Sequence, residues 1–85
     1  MLKHHTTIQQ KRLLYRASHR GMKEMDYILG NFAKQNLHKM SAAELNEFEK
    51  ILELSDRQIY NWCLGMETLN DDQKTPLLMS IINSY

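Results

Sequence analysis

Residues 19–33 read HRGMKEMDYILGNFA, and this stretch carries the clearest helical pattern in the chain. Its apolar residues recur at intervals of three and four positions, the spacing of one buried helix face: Met22, Met25, Ile28, Leu29, Phe32 and Ala33. Gly30 interrupts this helix at a cost of about 1 kcal/mol relative to alanine. We therefore expect Gly30 to pack closely against a neighbouring element.

One further helix is predicted on each side of this one. The first runs from Thr7 to about Ser18, with an apolar side formed by Leu13, Leu14 and Ala17. The other begins at Ser41, which forms a capping box with Glu44, and is expected to end near Leu54. Its apolar stripe consists of Leu45, Phe48, Ile51 and Leu52.

The C-terminal third predicts two shorter helices. Ser55 and Gln58 offer a second capping box, and the helix after them is expected to stop around Gly65. Its apolar side is predicted to contain Ile59, Trp62, Cys63 and Met66. Thr75–Pro76 supplies an N-cap followed by proline at the first helical position. The last apolar stripe consists of Leu77, Leu78, Ile81, Ile82 and Tyr85.

These patterns predict an all-α fold, a small bundle of about five short helices. The chain has 85 residues, which favours one domain, residues 1–85, with residues 1–6 frayed. No apolar run approaches the roughly 20 residues that cross a bilayer. One cysteine cannot form an internal disulfide, which favours a reducing compartment.

The net charge of +1 hides a strong segregation of charge along the chain. Residues 1–23 contain six cations and no acid, whereas residues 44–72 contain eight acids and two cations. A basic N-terminal helix can neutralise phosphates, so nucleic-acid binding through Lys11, Arg12 and Arg16 is an alternative function. A solvated helix face explains the same residues, and no RNA-recognition or zinc-ligand pattern accompanies them.

No set of residues predicts catalysis or metal binding by this chain. His4 and His5 stand together near the terminus without further ligands nearby. Cys63 adjoins Trp62 on an apolar helix, with no cation close in sequence to activate the thiol, so a buried inert thiol is expected. We therefore expect a protein that is not an enzyme.

Arg20, Gly21 and Glu24 allow two interpretations. If the helix includes all three, Arg20 and Glu24 lie four residues apart on one face, and the missing side chain of Gly21 leaves a notch between them. The arginine fork and the carboxylate could then bind another protein at close range. Alternatively, Glu24 complements the helix N-terminus, Arg20 pairs with it, and Gly21 only eases the turn.

A family resemblance favours the first interpretation. RGMxEMD at residues 20–26 and LGxFA at residues 29–33 resemble the RGxxE region of the SdhE family, the FAD assembly factors of succinate dehydrogenase. The motif D-x-x-I-Y-x-W at residues 56–62 is similar to the family's acidic, tryptophan-containing helix. The resemblance extends from about Leu13 to Ile82, and His19 departs from it where many members have arginine.

The resemblance implies a chaperone that promotes covalent attachment of FAD to the flavoprotein subunit of succinate dehydrogenase, and in some members of fumarate reductase. A client histidine attacks the 8-methyl carbon of the flavin, and the factor holds the client in the reacting conformation. FAD is then handled by the client, with no cofactor bound stably by the factor. We expect a monomer in the bacterial cytoplasm, or in the mitochondrial matrix for a processed eukaryotic chain, without membrane insertion or nucleic acid.

The same resemblance implies which residues touch the client. Arg20, Gly21 and Glu24 would approach the flavin site, with Arg20 and Glu24 making charge-assisted hydrogen bonds to client groups. Arg16, His19 and Lys23 would extend a basic rim, and Met22, Met25 and Tyr27 would divide between the core and the interface. For Trp62 we expect core packing of the indole, because small bundles need large side chains to fill them.

Overall fold

The computed structural model describes residues 7–85 of the chain. Within this range the chain forms helices, turns and short connections without a β-strand. The elements are α1 (Ile8–Ser18), α2 (Lys23–Asn36), a 3₁₀ turn (Leu37–Lys39), α3 (Ala42–Leu52), α4 (Asp56–Cys63), a second 3₁₀ turn (Asp71–Gln73) and α5 (Pro76–Asn83). The predicted all-α bundle of five short helices is confirmed. The predictions for residues 1–6, including the frayed terminus and the His4–His5 pair, lie outside the described residues.

Side-chain caps begin four of the five α-helices. The capping box of Ser41 and Glu44 is present at the start of α3, as predicted. At α4 only half of the predicted box forms: the Ser55 hydroxyl accepts from the amide of Gln58, but the Gln58 side chain donates to Glu67 instead of returning to Ser55. Thr7 and Thr75 cap α1 and α5.

The core gathers around α2, whose Met25 and Leu29 have no exposed surface. Phe48 of α3 and Ile59 of α4 are equally buried, and Trp62 is a core residue at 4% exposure, as expected. The prediction that Met66 and Tyr85 join the apolar faces is wrong, since they are 71% and 58% exposed.

Helix ends account for both errors. Helix α4 stops at Cys63, two residues before the predicted end, and Gly65 turns the chain with φ of +74°. A left-handed backbone favours glycine, which explains the residue found there. Met66 therefore lies beyond the turn, and Tyr85 lies beyond the last residue of α5. Helix α3 likewise ends at Leu52, short of the predicted Leu54.

Helices α1 and α2 pack closely where Ser18 meets Gly30. A Cβ placed on Gly30 would lie 3.0 Å from the Ser18 hydroxyl oxygen and 3.4 Å from the Ser18 Cα atom. The 3.0 Å distance to the hydroxyl oxygen is shorter than an ordinary Cβ contact, and the 3.4 Å distance to Cα lies at its lower limit. The predicted reason for Gly30, close approach of a neighbour, is confirmed. The connection between these two helices, residues 19–22, is named the RG loop below.

Candidate functional site

The RG loop separates Arg20 from the helix that follows it. Helix α2 begins at Lys23 with Met22 as its N-cap, so Arg20 and Gly21 are not helical. The condition for Arg20 and Glu24 to share a helix face is therefore not met. The alternative pairing of Arg20 with Glu24 is also wrong, because the guanidinium lies on other groups. Glu24 does stand in the first turn of α2, where a negative charge is favourable.

The Arg20 side chain is engaged inside the chain. Its Nε donates to Oδ1 of Asp56 at 2.7 Å, its Nη1 to the carbonyl of Leu52 at 2.6 Å, and its Nη2 to the carbonyl of Leu54 at 2.9 Å. The arginine and aspartate side chains are only 11% and 19% exposed. These bonds use all three nitrogens of the guanidinium. We name the guanidinium of Arg20 and its three acceptors the Arg20 clamp.

The clamp sits where two helix ends meet. Leu52 is the last residue of α3, and the final carbonyls of a helix lack partners within it and carry partial negative charge. Asp56 is the first residue of α4, and the partial positive charge at a helix N-terminus favours an acidic residue there. A guanidinium between them satisfies both the carbonyls and the carboxylate. The clamp therefore fixes the RG loop against the corner between α3 and α4.

The backbone of the RG loop is held as well. The amide of Arg20 donates to Oδ1 of Asp26, which lies in the first turn of α2. Met22 gives α2 no side-chain cap, so Asp26 is the acid that ties the loop to the start of this helix. Two carboxylates thus hold Arg20: Asp26 accepts from its backbone amide and Asp56 from its side chain.

Gly21 is exposed and its surroundings leave space for a side chain. A Cβ placed there would meet only Oδ2 of Asp56, at 4.0 Å. Its φ lies outside the left-handed region, which Gly65 alone occupies among the described glycines. The fold within residues 7–85 therefore does not require glycine at this position, either for space or for backbone conformation.

A groove of about 430 Å³ runs beside Gly21, and we name it the RG groove. Its walls combine the RG loop with the end of α1 and the corner between α3 and α4; they are Tyr15, Arg16, His19, Arg20, Gly21, Leu54, Ser55 and Asp56. Tyr15 and His19 stack in parallel, with ring centroids 3.9 Å apart and planes inclined by 19°. Nδ1 of His19 lies 2.9 Å from the carbonyl of Tyr15, which fixes the imidazole in this stack.

The other predicted contact residues divide around this groove. Arg16 lies on its wall and also forms an ion pair with Glu49 at 3.7 Å. Lys23 and Glu24 are exposed on the first turn of α2, outside the groove. Met22 is partly buried against the core. The structure thus brings together Arg16, His19, Arg20 and Gly21, and leaves Lys23 and Glu24 on an adjoining surface.

Sequence reasoning missed Asp26, Asp56 and Tyr15 as parts of this site. Asp56 is the first letter of the D-x-x-I-Y-x-W motif and Asp26 the last of RGMxEMD, so both motifs contained the signal. The spacing of 36 residues between Arg20 and Asp56 gave no reason to pair them. No motif in the sequence marked Tyr15. Its 63% exposure depends on how α1 packs in the fold, which its residue type does not reveal.

No feature of residues 7–85 adds a reactive centre to this surface. Burial raises the pKa of the Cys63 thiol, which disfavours the nucleophilic thiolate. Groups of three or more metal-binding side chains are not found in the described part of the chain. Its helices are also too short or too polar to cross a membrane. What the geometry offers is a groove with a mixed polar and apolar lining beside a glycine.

Known proteins similar to this chain share one description. Residues 11–85 match the family model described as flavinator of succinate dehydrogenase. The chain is 36% identical over 74 residues to the FAD assembly factor SdhE of Acetobacter pasteurianus, which covers 87% of this chain and 68% of that protein. It is 36% identical over 69 residues to the mitochondrial succinate dehydrogenase assembly factor 2 of Dictyostelium discoideum, covering 81% and 49%.

A third relative agrees with these two. The mitochondrial succinate dehydrogenase assembly factor 2 of Schizosaccharomyces pombe is 31% identical over 74 residues, covering 87% of this chain and 53% of that protein. The chain thus spans about two thirds of the bacterial relative and about half of these mitochondrial ones. Since the family model covers almost the whole sequence, this chain belongs to the flavinator of succinate dehydrogenase family.

Proposed function

We propose that this chain is an assembly factor that binds the flavoprotein subunit of succinate dehydrogenase and promotes covalent attachment of FAD to it. The family description and the names of the relatives support this activity. A single structural observation carries the proposal: Gly21 is an exposed glycine beside a groove, and the fold itself does not require glycine at this position. A glycine in such a place lets another backbone approach closely.

In this proposal the RG groove meets the client directly. Gly21 contributes the close approach, the stacked pair of Tyr15 and His19 a flat wall, and Arg16 a positive rim. Glu24 and Lys23 extend the contact over the first turn of α2, and Met22 anchors that turn to the core. Arg20 acts differently from the sequence-based expectation: it positions the loop through the clamp and presents Gly21.

The chain supplies no nucleophile in this proposal, and FAD stays with the client. The covalent step is left to the client's own groups, while the factor selects the conformation in which they react. We further propose that the chain acts as a monomer in the bacterial cytoplasm, supported by its bacterial relative, with the mitochondrial matrix as the equivalent for a processed eukaryotic chain. Fumarate reductase is a second client to test in the same assay.

Nucleic-acid binding finds no support in the comparisons. Of the three cations in that alternative, Arg16 forms an ion pair with Glu49, whereas Lys11 and Arg12 are exposed on α1. Cations paired with acids of their own chain are less available to phosphates, because binding would have to replace those contacts. The flavoprotein therefore remains the partner that we propose.

The experiment is covalent flavin fluorescence of the succinate dehydrogenase flavoprotein on a denaturing gel. The flavoprotein is expressed in a host lacking its own factor, alone or together with wild-type chain, Gly21→Arg or Gln35→Arg. Gln35 is exposed at the far end of α2, so its variant places the same charged side chain away from the groove. Circular dichroism and thermal unfolding of each variant verify that the fold is intact.

We expect bound flavin to rise with wild type and with Gln35→Arg, and to stay near the level without factor for Gly21→Arg. Gly21→Arg should unfold within a few degrees of wild type, because space surrounds this position. Equal flavin in all four samples would remove the proposed function for this client. Loss with both variants would place the contact elsewhere than the RG groove.

A further inference from the structure

A second cleft lies between α3, the second 3₁₀ turn and α5. Its volume is about 220 Å³, and its apolar lining includes Ile51, Trp62 and Leu78. Sites for small molecules usually enclose about 300–1,000 Å³. A cleft below that range suits a single side chain better than a cofactor.

Glu47, a half-buried residue, stands on the wall of this cleft with one unsatisfied carboxylate oxygen. Its Oε2 atom is buried and has no hydrogen-bond partner within residues 7–85. Lys50, one turn further along α3, also lines the cleft, but the ion pairs of the described chain do not include these two residues. A buried carboxylate oxygen without a donor is unfavourable, so a donor from outside the chain would stabilise it.

The chemistry of the cleft selects the donor. An arginine buries its aliphatic stem along apolar surface while its guanidinium reaches a carboxylate with two parallel hydrogen bonds. The indole of Trp62 adds an aromatic wall that attracts the same cation. The terminal torsion of Glu47 is broad, so its carboxylate can rotate to meet a guanidinium in the cleft that it lines. Asp72 on the wall adds a second negative charge, which Lys50 offsets in part.

The position of the cleft identifies the partner. Leu54, 37% exposed, lines both this cleft and the RG groove, so the two depressions flank one side chain. A protein surface that covers the RG groove therefore continues naturally over Leu54 into the cleft. We propose that the cleft binds an arginine side chain of the flavoprotein client, an inference that rests on the proposed function.

The test compares Glu47→Gln with Glu53→Gln in calorimetric binding to the purified flavoprotein. Both variants remove one negative charge, and Glu53 is an exposed residue just after α3 that does not line the cleft. We expect Glu47→Gln to raise Kd about tenfold, about 1.4 kcal/mol, and Glu53→Gln to change it less than about twofold, which is under 0.5 kcal/mol. Thermal unfolding of Glu47→Gln should equal or exceed that of wild type, because an unpaired buried charge is removed.

Client variants identify the arginine itself. Replacing the flavoprotein's surface arginines one at a time by methionine should yield one variant that weakens binding of wild-type chain but not of Glu47→Gln, since the two groups act as a pair. An unchanged Kd for Glu47→Gln, or client variants that weaken both chains equally, would overturn the cleft inference while leaving the docking of the RG groove intact. Absence of binding by wild type itself would instead overturn the proposed function and the cleft inference together.

Discussion

The Arg20 clamp makes a prediction that distinguishes a residue holding the fold from one touching the client. Arg20→Ala removes three charge-assisted hydrogen bonds, to Asp56, Leu52 and Leu54. Each such bond contributes roughly 1.5–3 kcal/mol. Water can replace the arginine at the carbonyl of Leu54, which lies near the surface, so the two remaining bonds give an expected loss of about 3–6 kcal/mol in the free energy of unfolding.

This loss is large for a domain of 85 residues, whose stability is roughly 0.05–0.15 kcal/mol per residue, or about 4–13 kcal/mol. One kcal/mol corresponds to about 4–8 °C in Tm at this size, so Arg20→Ala should melt at least about 12 °C below wild type. Arg20→Lys keeps the charge but not the fork, and we expect it to fall between the two. The assay is urea unfolding followed by circular dichroism, with thermal scans beside it.

A double-mutant cycle with Asp56→Ala sharpens this measurement. Because Arg20 and Asp56 touch at 2.7 Å, the loss from the double variant should be at least about 1 kcal/mol smaller than the sum of the single losses. Additive losses would show that the ion pair does not hold the loop. If Arg20→Ala unfolds within 0.5 kcal/mol of wild type, a margin typical of surface substitutions, yet fails in flavinylation, Arg20 is a client contact and the positioning role is refuted.

Three further predictions concern the core and its edges. Gly30→Ala crowds Ser18 at a cost of about 1–3 kcal/mol, which the helix propensity of alanine offsets by about 1 kcal/mol, so we expect a net loss of up to about 2 kcal/mol in the free energy of unfolding. Ser18→Ala should stabilise the Gly30→Ala chain more than it stabilises wild type, because it removes the crowded hydroxyl. Equal effects of Ser18→Ala in the two chains would contradict the packing argument. Cys63 should react more slowly with a thiol reagent in the folded chain than in urea, since burial raises its pKa, and equal rates would show an accessible thiol. Hydrogen bonding to Tyr85 raises the pKa of Tyr60. This pair therefore contributes stability below a pH of about 10, the ordinary tyrosine pKa, and the contribution is lost as the pH rises through the raised pKa. Tyr85→Phe should lower the pH at which Tyr60 ionises in an absorbance titration, and an unchanged titration midpoint would contradict this prediction.

Local signals predicted the helices well because their causes are local. Thr7, Ser41 and Thr75 each bind an amide three residues ahead, and that bond involves only neighbouring residues. The helix ends were predicted less well. Whether α3 continues from Leu52 to Leu54 depends on the carbonyls that Arg20 takes from outside the helix, a contact across more than 30 residues.

The site was predicted only in part for the same reason. Its residues Arg20 and Gly21 were found, but the expected role of Arg20 was wrong: spacing suggested an exposed fork, whereas the guanidinium is held by Asp56 and by the end of α3. The exposure of an arginine side chain cannot be predicted from its residue type, because it depends on which acceptors the fold brings within reach of the guanidinium. Gly21, without a side chain to be captured, remains exposed.

The clamp also gives the acidic helix α4 a role in the site. Asp56 has two reasons to occupy its position, since it complements the N-terminus of α4 and accepts from Arg20. Trp62, two turns further, anchors the same helix in the core at 4% exposure. Core packing at Trp62 therefore fixes Asp56, Asp56 fixes Arg20, and Arg20 fixes the backbone on which Gly21 is presented. On this argument, a substitution that shifts α4 without unfolding the chain impairs docking through the RG loop, although α4 contributes only Asp56 to the groove.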